Sequence, residues 1–178
     1  MNALFLISFL DLYIINLITM KKILLLFSAV VLVSCNSNAQ KETKKETQNY
    51  KVSKTDAQWK SELTSLEYHV LREEGTERAF TSPLNDNYKK GVYVCKACNT
   101  PLFKSEHKFD SGTGWPSFDQ EIKGNVAFSN GSDYYGKEEH CATCGSHLGH
   151  VFNDGPKNTT GKRHCINGVA LKFIPKND

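Results

Sequence analysis

Cys95-Lys-Ala-Cys98-Asn99-Thr100-Pro101-Leu102 is matched, after a gap of more than forty residues, by Cys141-Ala-Thr-Cys144-Gly145-Ser146-His147-Leu148. The common pattern is C-x-x-C, then Asn or Gly, then a hydroxyl residue, then a leucine one position beyond the next. Two thiolates can point at one ion only from a tight turn. The residue after the second cysteine then needs a left-handed backbone, which Gly and Asn tolerate best. Zn²⁺ takes four such sulfurs tetrahedrally at about 2.3 Å, and a site closed in this way has no open position for a substrate. Cys95, Cys98, Cys141 and Cys144 are therefore the predicted ligands of one structural zinc ion. For comparable sites the binding free energy, roughly 10–16 kcal/mol, appears as folding energy. A redox C-x-x-C expects a thioredoxin-like βαβ setting that is not found here, and a disulfide scaffold would be shorter with evenly spread cysteines. Zinc motifs of this kind separate their pairs by roughly 15–20 residues. The longer insert here must do more than join the knuckles.

Outward from the knuckles, short apolar or aromatic runs alternate with Gly, Asn, Asp and Pro. Val92-Tyr-Val94, Val126-Ala-Phe128 and Val169 to Ile174 are the clearest strand candidates. Helical periodicity is confined to the segment before them. Asp56 to Leu63 reads as a short helix capped by Asp56, with Trp59 and Leu63 on one face. Thr64-Ser-Leu-Glu67 is a capping box opening a second helix that sends Leu66, Val70 and Leu71 inward and ends before Gly75. The expected fold is a mainly-β (α+β) domain, residues 56–178, carrying two N-terminal helices.

The front end reads as an address. Met20-Lys21-Lys22 precedes eleven uncharged residues, Ile23 to Val33, too few to span a bilayer but suited to a secretory signal. Leu32-Val33-Ser34-Cys35 resembles the cleavage box of bacterial lipoproteins, which marks Cys35 for lipidation and residues 1–35 as a leader. Translation is expected to start at Met20, because residues 1–19 are apolar without a basic residue. A transmembrane helix from Leu4 to Val33 would hold Lys21 and Lys22 mid-membrane at roughly 3 kcal/mol each, and is disfavoured. Residues 36–55, rich in Ser, Asn, Gln, Lys, Glu and Thr, read as a flexible tether. The net charge of +3 owes much to Lys21, Lys22 and the lysines between Lys41 and Lys54, so there is no nucleic-acid footprint. The chain is expected to act as a monomer, lipid-anchored to a bacterial membrane and facing outside the cytoplasm, on the periplasmic side.

The insert and the region beyond it carry three further motifs. Phe109-Asp-Ser-Gly112-Thr113-Gly114-Trp115-Pro116-Ser117-Phe118 makes a tight turn that presents an indole. His147-Leu-Gly-His150-Val-Phe152-Asn-Asp154-Gly155-Pro156 follows the second knuckle, and Arg163-His164-Cys165-Ile166-Asn167 stands near the end. An isolated cysteine is more often a small buried residue than a nucleophile, and Trp115 alone would be ordinary core.

Together these elements, G-W-P-S-F, H-L-G-H-V-F, D-G-P and C-I-N, closely resemble the methionine-R-sulfoxide reductase B family, in order and spacing, from Trp59 to Pro175. The resemblance implies two antiparallel β-sheets forming a barrel-like core, with short N-terminal helices and a four-cysteine zinc site. It also implies reduction of methionine-R-sulfoxide, chiefly in oxidised proteins. Cys165 matches the family's nucleophile, which attacks the sulfoxide sulfur, releases methionine and becomes a sulfenic acid. His150 and His147 match the oxygen-activating pair, and their spacing is expected to face both into one pocket. Asn167 would position the substrate, and Trp115 with Phe152 would line the pocket for the S-methyl group. Asp154 and Arg163 would orient the site as a pair, and Arg163 with the histidines would lower the pKa of Cys165.

The chain departs from the family at Thr113, where many members carry a resolving cysteine. With four sulfurs on zinc and Cys35 lipidated, no spare thiol remains, so a thioredoxin-like protein or a small thiol is expected to reduce Cys165 directly. His164, where the family often has Tyr or Phe, is left open between tuning the nucleophile and packing. Two other functions were weighed against the reductase. A non-enzymatic zinc-knuckle module that binds a protein partner would not need Cys165. A Cys-His hydrolase would need an oxyanion hole, which no element of the sequence marks.

Overall fold

The structure, a computed structural model, describes Ile14, residues 49–129 and residues 136–176. The chain divides into two units, Met1–Thr47 and Gln48–Asp178, and everything below concerns the second. The leader, Cys35 and most of the expected tether lie outside the described residues. Among the described residues, no helix is long and apolar enough to cross a membrane.

Helix α1 (Asp56–Glu62) is capped by Thr55 rather than by Asp56. Thr55 and Gln58 form a reciprocal capping box, so the hydroxyl one residue upstream takes the cap and Asp56 is left free to pair with Lys60. Helix α2 (Ser65–Glu73) begins with the Thr64–Glu67 box and ends at Glu74 in the left-handed conformation. Val70 and Leu71 are buried as expected, but Leu66 is 52% exposed. The helix meets the sheet through its later turns, and the first turn overhangs.

Among the described residues nine short strands follow: β1 (Gly91–Cys95), β2 (Pro101–Lys104), β3 (Lys108–Phe109), β4 (Ser117–Phe118), β5 (Val126–Phe128), β6 (Lys137–Cys141), β7 (His147–Phe152), β8 (Arg163–Ile166) and β9 (Leu171–Pro175). The expected strand from Val169 begins instead at Leu171, because Gly168–Ala170 form a 3₁₀ turn. All pairings are antiparallel and make two sheets, one of order β2-β1-β9 and one of order β3-β4-β8-β7-β6-β5. The two-sheet, two-helix reading therefore holds. The sheets are open, ending on β2 and β9 in one and on β3 and β5 in the other, so barrel closure is not part of the described architecture.

The core is aromatic where the sheets meet. Phe103 of β2 stacks on Phe118 of β4 at 4.4 Å, and Tyr93 of β1 meets Phe118 edge-on at 4.9 Å. Contacts with the domain begin before Asp56. The Val52 N–H donates to the Thr143 carbonyl at 2.9 Å, and Tyr50 lies edge-on to His140.

One register in the larger sheet decides the chemistry. Ser117 faces Cys165, Cys165 faces His150, and His150 faces Glu138, across β4, β8, β7 and β6. Directly opposed residues of antiparallel strands share a face with Cβ atoms about 4.5–5.5 Å apart. The row therefore sets the thiol beside an imidazole, with a carboxylate residue on the next strand. His164, one residue earlier, falls on the other face by strand alternation. It is fully buried against Phe103, with Nδ1 on Glu139. His164 packs.

Candidate active site and metal centre

The two knuckles fold alike because their hydrogen bonds are alike. In the first, the Asn99 N–H donates to the Cys95 carbonyl at 2.8 Å and the Cys95 N–H to the Thr100 carbonyl at 2.8 Å. In the second, Gly145 donates to Cys141 at 2.8 Å and Cys141 to Ser146 at 2.9 Å. Asn99 and Gly145 occupy the left-handed region, with φ of 59° and 69°. The hydroxyl of each repeat meets a sulfur, Thr100 Oγ1 at 3.1 Å from Cys98 Sγ and Ser146 Oγ at 3.2 Å from Cys144 Sγ.

All four Sγ atoms lie within 4.8 Å of one another, with Cys95–Cys144 at 3.8 Å and Cys98–Cys141 at 3.5 Å. A tetrahedron with metal–sulfur bonds of about 2.3 Å has edges of about 3.8 Å, whereas a disulfide would bring two sulfurs to about 2.05 Å. The cluster fits a tetrahedral cation. Crowding also divides the sulfurs. Cys98, chiefly through Cys141, and Cys141, chiefly through Cys144, are pulled down, the latter to about 7. Cys95 and Cys144, both chiefly through Cys141, are pushed up. Four thiolates can coexist there only around a positive charge.

The second constellation is a pocket of about 160 Å³ lined by Thr76, Trp115, Gly149, His150, Phe152, Cys165 and Asn167. Five residues singled out in the sequence thus share one wall. Cys165 is partly buried, with Thr113 Oγ1 at 3.8 Å from its sulfur. Burial pushes its thiol up, and this outweighs the opposing pull of Thr113 and Arg163, while the Glu139 charge adds to the rise. The expectation of a dominant thiolate is therefore not met in the resting geometry. The histidines do not supply the field, because burial and then His147 hold His150 below its ordinary value and keep it neutral at pH 7.

His147 does not line the pocket as expected. On a strand, positions i and i+3 point to opposite faces. A register shift between Glu139 and His140 nevertheless leaves the His147 ring edge-on to His150, 5.5 Å between centroids. His147 Nδ1 meets Glu138 Oε1 at 2.9 Å, and the buried Nε2 has no partner among the described residues. Burial works against ionisation of Glu138, but His147 and Ser129 hold its carboxyl below the usual value. A carboxylate on Nδ1 fixes that nitrogen as the donor. The pair is thus divided between a neutral imidazole at the pocket and a carboxylate-backed one behind it.

Arg163 grips Asp154 with two bonds, Nε to Oδ1 at 2.9 Å and Nη2 to Oδ2 at 2.8 Å, and stacks on the Phe152 ring at 4.3 Å. Asp154 is accordingly an anchor outside the pocket, and its carboxyl is held below the usual value by Arg163. Asn167 lines the pocket with both ends of its amide engaged, Oδ1 accepting from the Glu77 N–H at 2.9 Å and Nδ2 donating to the Leu148 carbonyl at 3.1 Å.

Glu77 is the residue that sequence reasoning missed. Its carbonyl receives the Trp115 indole N–H at 3.1 Å, and its N–H holds Asn167. Its buried carboxylate accepts from the Gly168 N–H and, at 3.0 Å, from the Val169 N–H. Burial pushes its pKa up against those bonds. Its place in the featureless stretch Gly75-Thr-Glu-Arg gave no signal. Glu138, paired with His150 on the neighbouring strand and bonded to His147 from nine positions away in sequence, gave none either.

Comparison with known proteins joins the two constellations. A family model described as "SelR domain" matches residues 63–175. A protein of Leptospira interrogans, "Peptide methionine sulfoxide reductase MsrB", is 52% identical over 128 residues, which cover 70% of this chain and 97% of that one. Proteins of the same description from Agrobacterium fabrum and Methanosarcina mazei are 49% and 50% identical, covering 70% and 72% of this chain and 94% and 93% of theirs. Among solved structures, the Mis18 "Yippee-like" domain aligns with a TM-score of 0.41 at 17% identity, over 51% of this chain and 100% of that one, a likeness too slight to carry an argument. With the matched segment spanning both knuckles, the Trp115 turn, the histidine strand and Cys165, the chain belongs to the SelR domain family of the MsrB proteins.

Proposed function

We propose that the protein is a peptide-methionine (R)-S-oxide reductase in which Cys165 takes the sulfoxide oxygen. The observation that carries the reading is the row Cys165–His150–Glu138 across adjacent strands, opening on a pocket walled by Trp115 and Phe152. Because Cys165 and His150 both rest in neutral forms, attack is coupled to proton movement. The thiol gives its proton to His150 as its sulfur bonds to the sulfoxide sulfur. His150, supported by His147 and Glu138, delivers a proton to the sulfoxide oxygen, which makes that sulfur electrophilic. The oxygen passes to Cys165 and methionine leaves, so R₂SO and a thiol become R₂S and a sulfenic acid. Trp115, fixed by Glu77, packs on the S-methyl group.

Two molecules of an external thiol, or one dithiol of a thioredoxin-like protein, then return Cys165 to the thiol, releasing water and a disulfide. Thr113, whose hydroxyl lies 3.8 Å from the Cys165 sulfur, cannot form a disulfide. Cys95, Cys98, Cys141 and Cys144 would hold zinc, which supplies folding energy and takes no part in the reaction. The leader through Cys35 supports lipid attachment to a bacterial membrane on its outer side, with the polar residues between Cys35 and Tyr50 as tether and the domain acting as a monomer.

Turnover of separated R and S epimers with dithiothreitol tests the reading. Wild type is expected to reduce only the R form, and Cys165→Ser neither. Activity retained in Cys165→Ser would sink the assignment. Mass spectrometry after exposure to sulfoxide without reductant should find no disulfide from Cys165 to any cysteine of this chain.

A further inference from the structure

A second pocket, of about 250 Å³, shares the Phe152 ring with the first as a common wall. It is lined by the buried Val151, by Phe152 and Phe128, and by the exposed Lys137 and Lys162. Phe128 is 42% exposed, an apolar ring turned outward beside the catalytic strand pair. Lys162 Nζ lies 6.0 Å from that ring, and neither lysine forms an ion pair among the described residues.

Among the described residues, the acids nearby are all committed. Glu138 follows Lys137 on β6 but is held by His147 and Ser129. Glu139 and Glu121 flank the two nitrogens of His164. Asp154 is held by Arg163. The charge left facing the cavity is two ammonium groups, beside an aromatic and aliphatic lining. That combination suits a short carbon chain ending in a carboxylate, with methylenes on the rings and oxygens at the lysines.

We infer that this pocket is a subsite for an acidic side chain of the peptide that carries the oxidised methionine, so that the enzyme prefers sulfoxides flanked by Asp or Glu. The inference rests on the reductase reading, since continuity through Phe152 ties the cavity to the Cys165 pocket. Charges here select among peptides and leave the reaction at sulfur untouched.

The test compares peptides that each carry one methionine-R-sulfoxide and differ only in Glu, Ala or Lys placed up to about three residues to either side, a reach of about 10 Å. Wild type is set against Lys137→Glu, Lys162→Glu and the double variant, with N-acetylmethionine R-sulfoxide as a substrate that has no flanking side chain. Two exposed ion pairs should favour the best Glu peptide over its Lys counterpart by about three- to tenfold in kcat/KM, and added salt should shrink the ratio. The double variant should reverse the ratio while turning over the small substrate as wild type does. An unchanged ratio in the double variant, or no ratio in wild type, overturns the subsite. A preference for phosphoserine with none for Glu overturns the carboxylate assignment. Failure of wild type to reduce N-acetylmethionine R-sulfoxide or any peptide instead overturns the reductase reading itself.

Discussion

The knuckles and the catalytic pocket both depend on cysteine, and they treat it in opposite ways. In the knuckles, four sulfurs sit within 4.8 Å, presented in pairs by two hydrogen-bonded turns, and four thiolates so close need a cation among them. At the pocket one sulfur stands apart, pushed toward its neutral form by burial and offered only a hydroxyl and a guanidinium as support. In one setting the sulfurs are gathered four to a site. In the other a single sulfur lies across the strands from an imidazole, the place proposed for the nucleophile. Environment divides the labour.

Removing metal should break this contrast most completely. Chelation, or Cys98→Ser, is expected to unfold the domain, because binding energy of roughly 10–16 kcal/mol is counted in folding for such sites. Circular dichroism with a zinc assay reads the result, and a folded, metal-free protein would disprove a structural role. By contrast, Cys165→Ser should leave zinc content and melting temperature within a few degrees of wild type while turnover falls by about a thousandfold or more. Coincident loss of zinc would mean that the two regions are one unit.

Glu77→Gln should fall between these extremes. It weakens two bonds from a buried carboxylate to backbone N–H groups, worth about 1.5–3 kcal/mol each, and so loosens the turn that follows Asn167. We expect a lowered melting temperature together with a rise in KM, zinc being retained. Unchanged kinetics at a lowered melting temperature would leave Glu77 a purely structural clamp.

The smallest effect concerns the ionisation of Cys165. Burial raises its pKa and Arg163 opposes that rise, so removing the guanidinium must move the thiol further up. In Arg163→Gln the pH profile of iodoacetamide alkylation should shift to higher pH, by about one unit or less for a partly screened charge. A shift to lower pH would refute the role given to the guanidinium.

The four-cysteine cluster, the two helices and most of the pocket's members were legible because each rests on local physics. Paired cysteines with Asn99 or Gly145 after them specify a turn, and Thr64 with Glu67 specifies a helix start. Leu66 was misjudged because burial of a first turn depends on where the helix lands, which its own periodicity does not contain. His147 was misjudged because i, i+3 was read without the strand that sends it behind His150. Glu77 was missed because its partners lie about ninety positions away along the chain.

By itself the sequence determined which atoms are present and how each short segment turns: four sulfurs in matched knuckles, an indole after a Gly-x-Gly turn, a cysteine between His164 and Ile166. Tertiary structure alone decided the register that sets Ser117, Cys165, His150 and Glu138 in one row, and the burial that keeps the nucleophile neutral at rest. The reason is physical. Turns and caps are satisfied by neighbours in the chain, whereas a pKa depends on desolvation and on charges that only folding brings near.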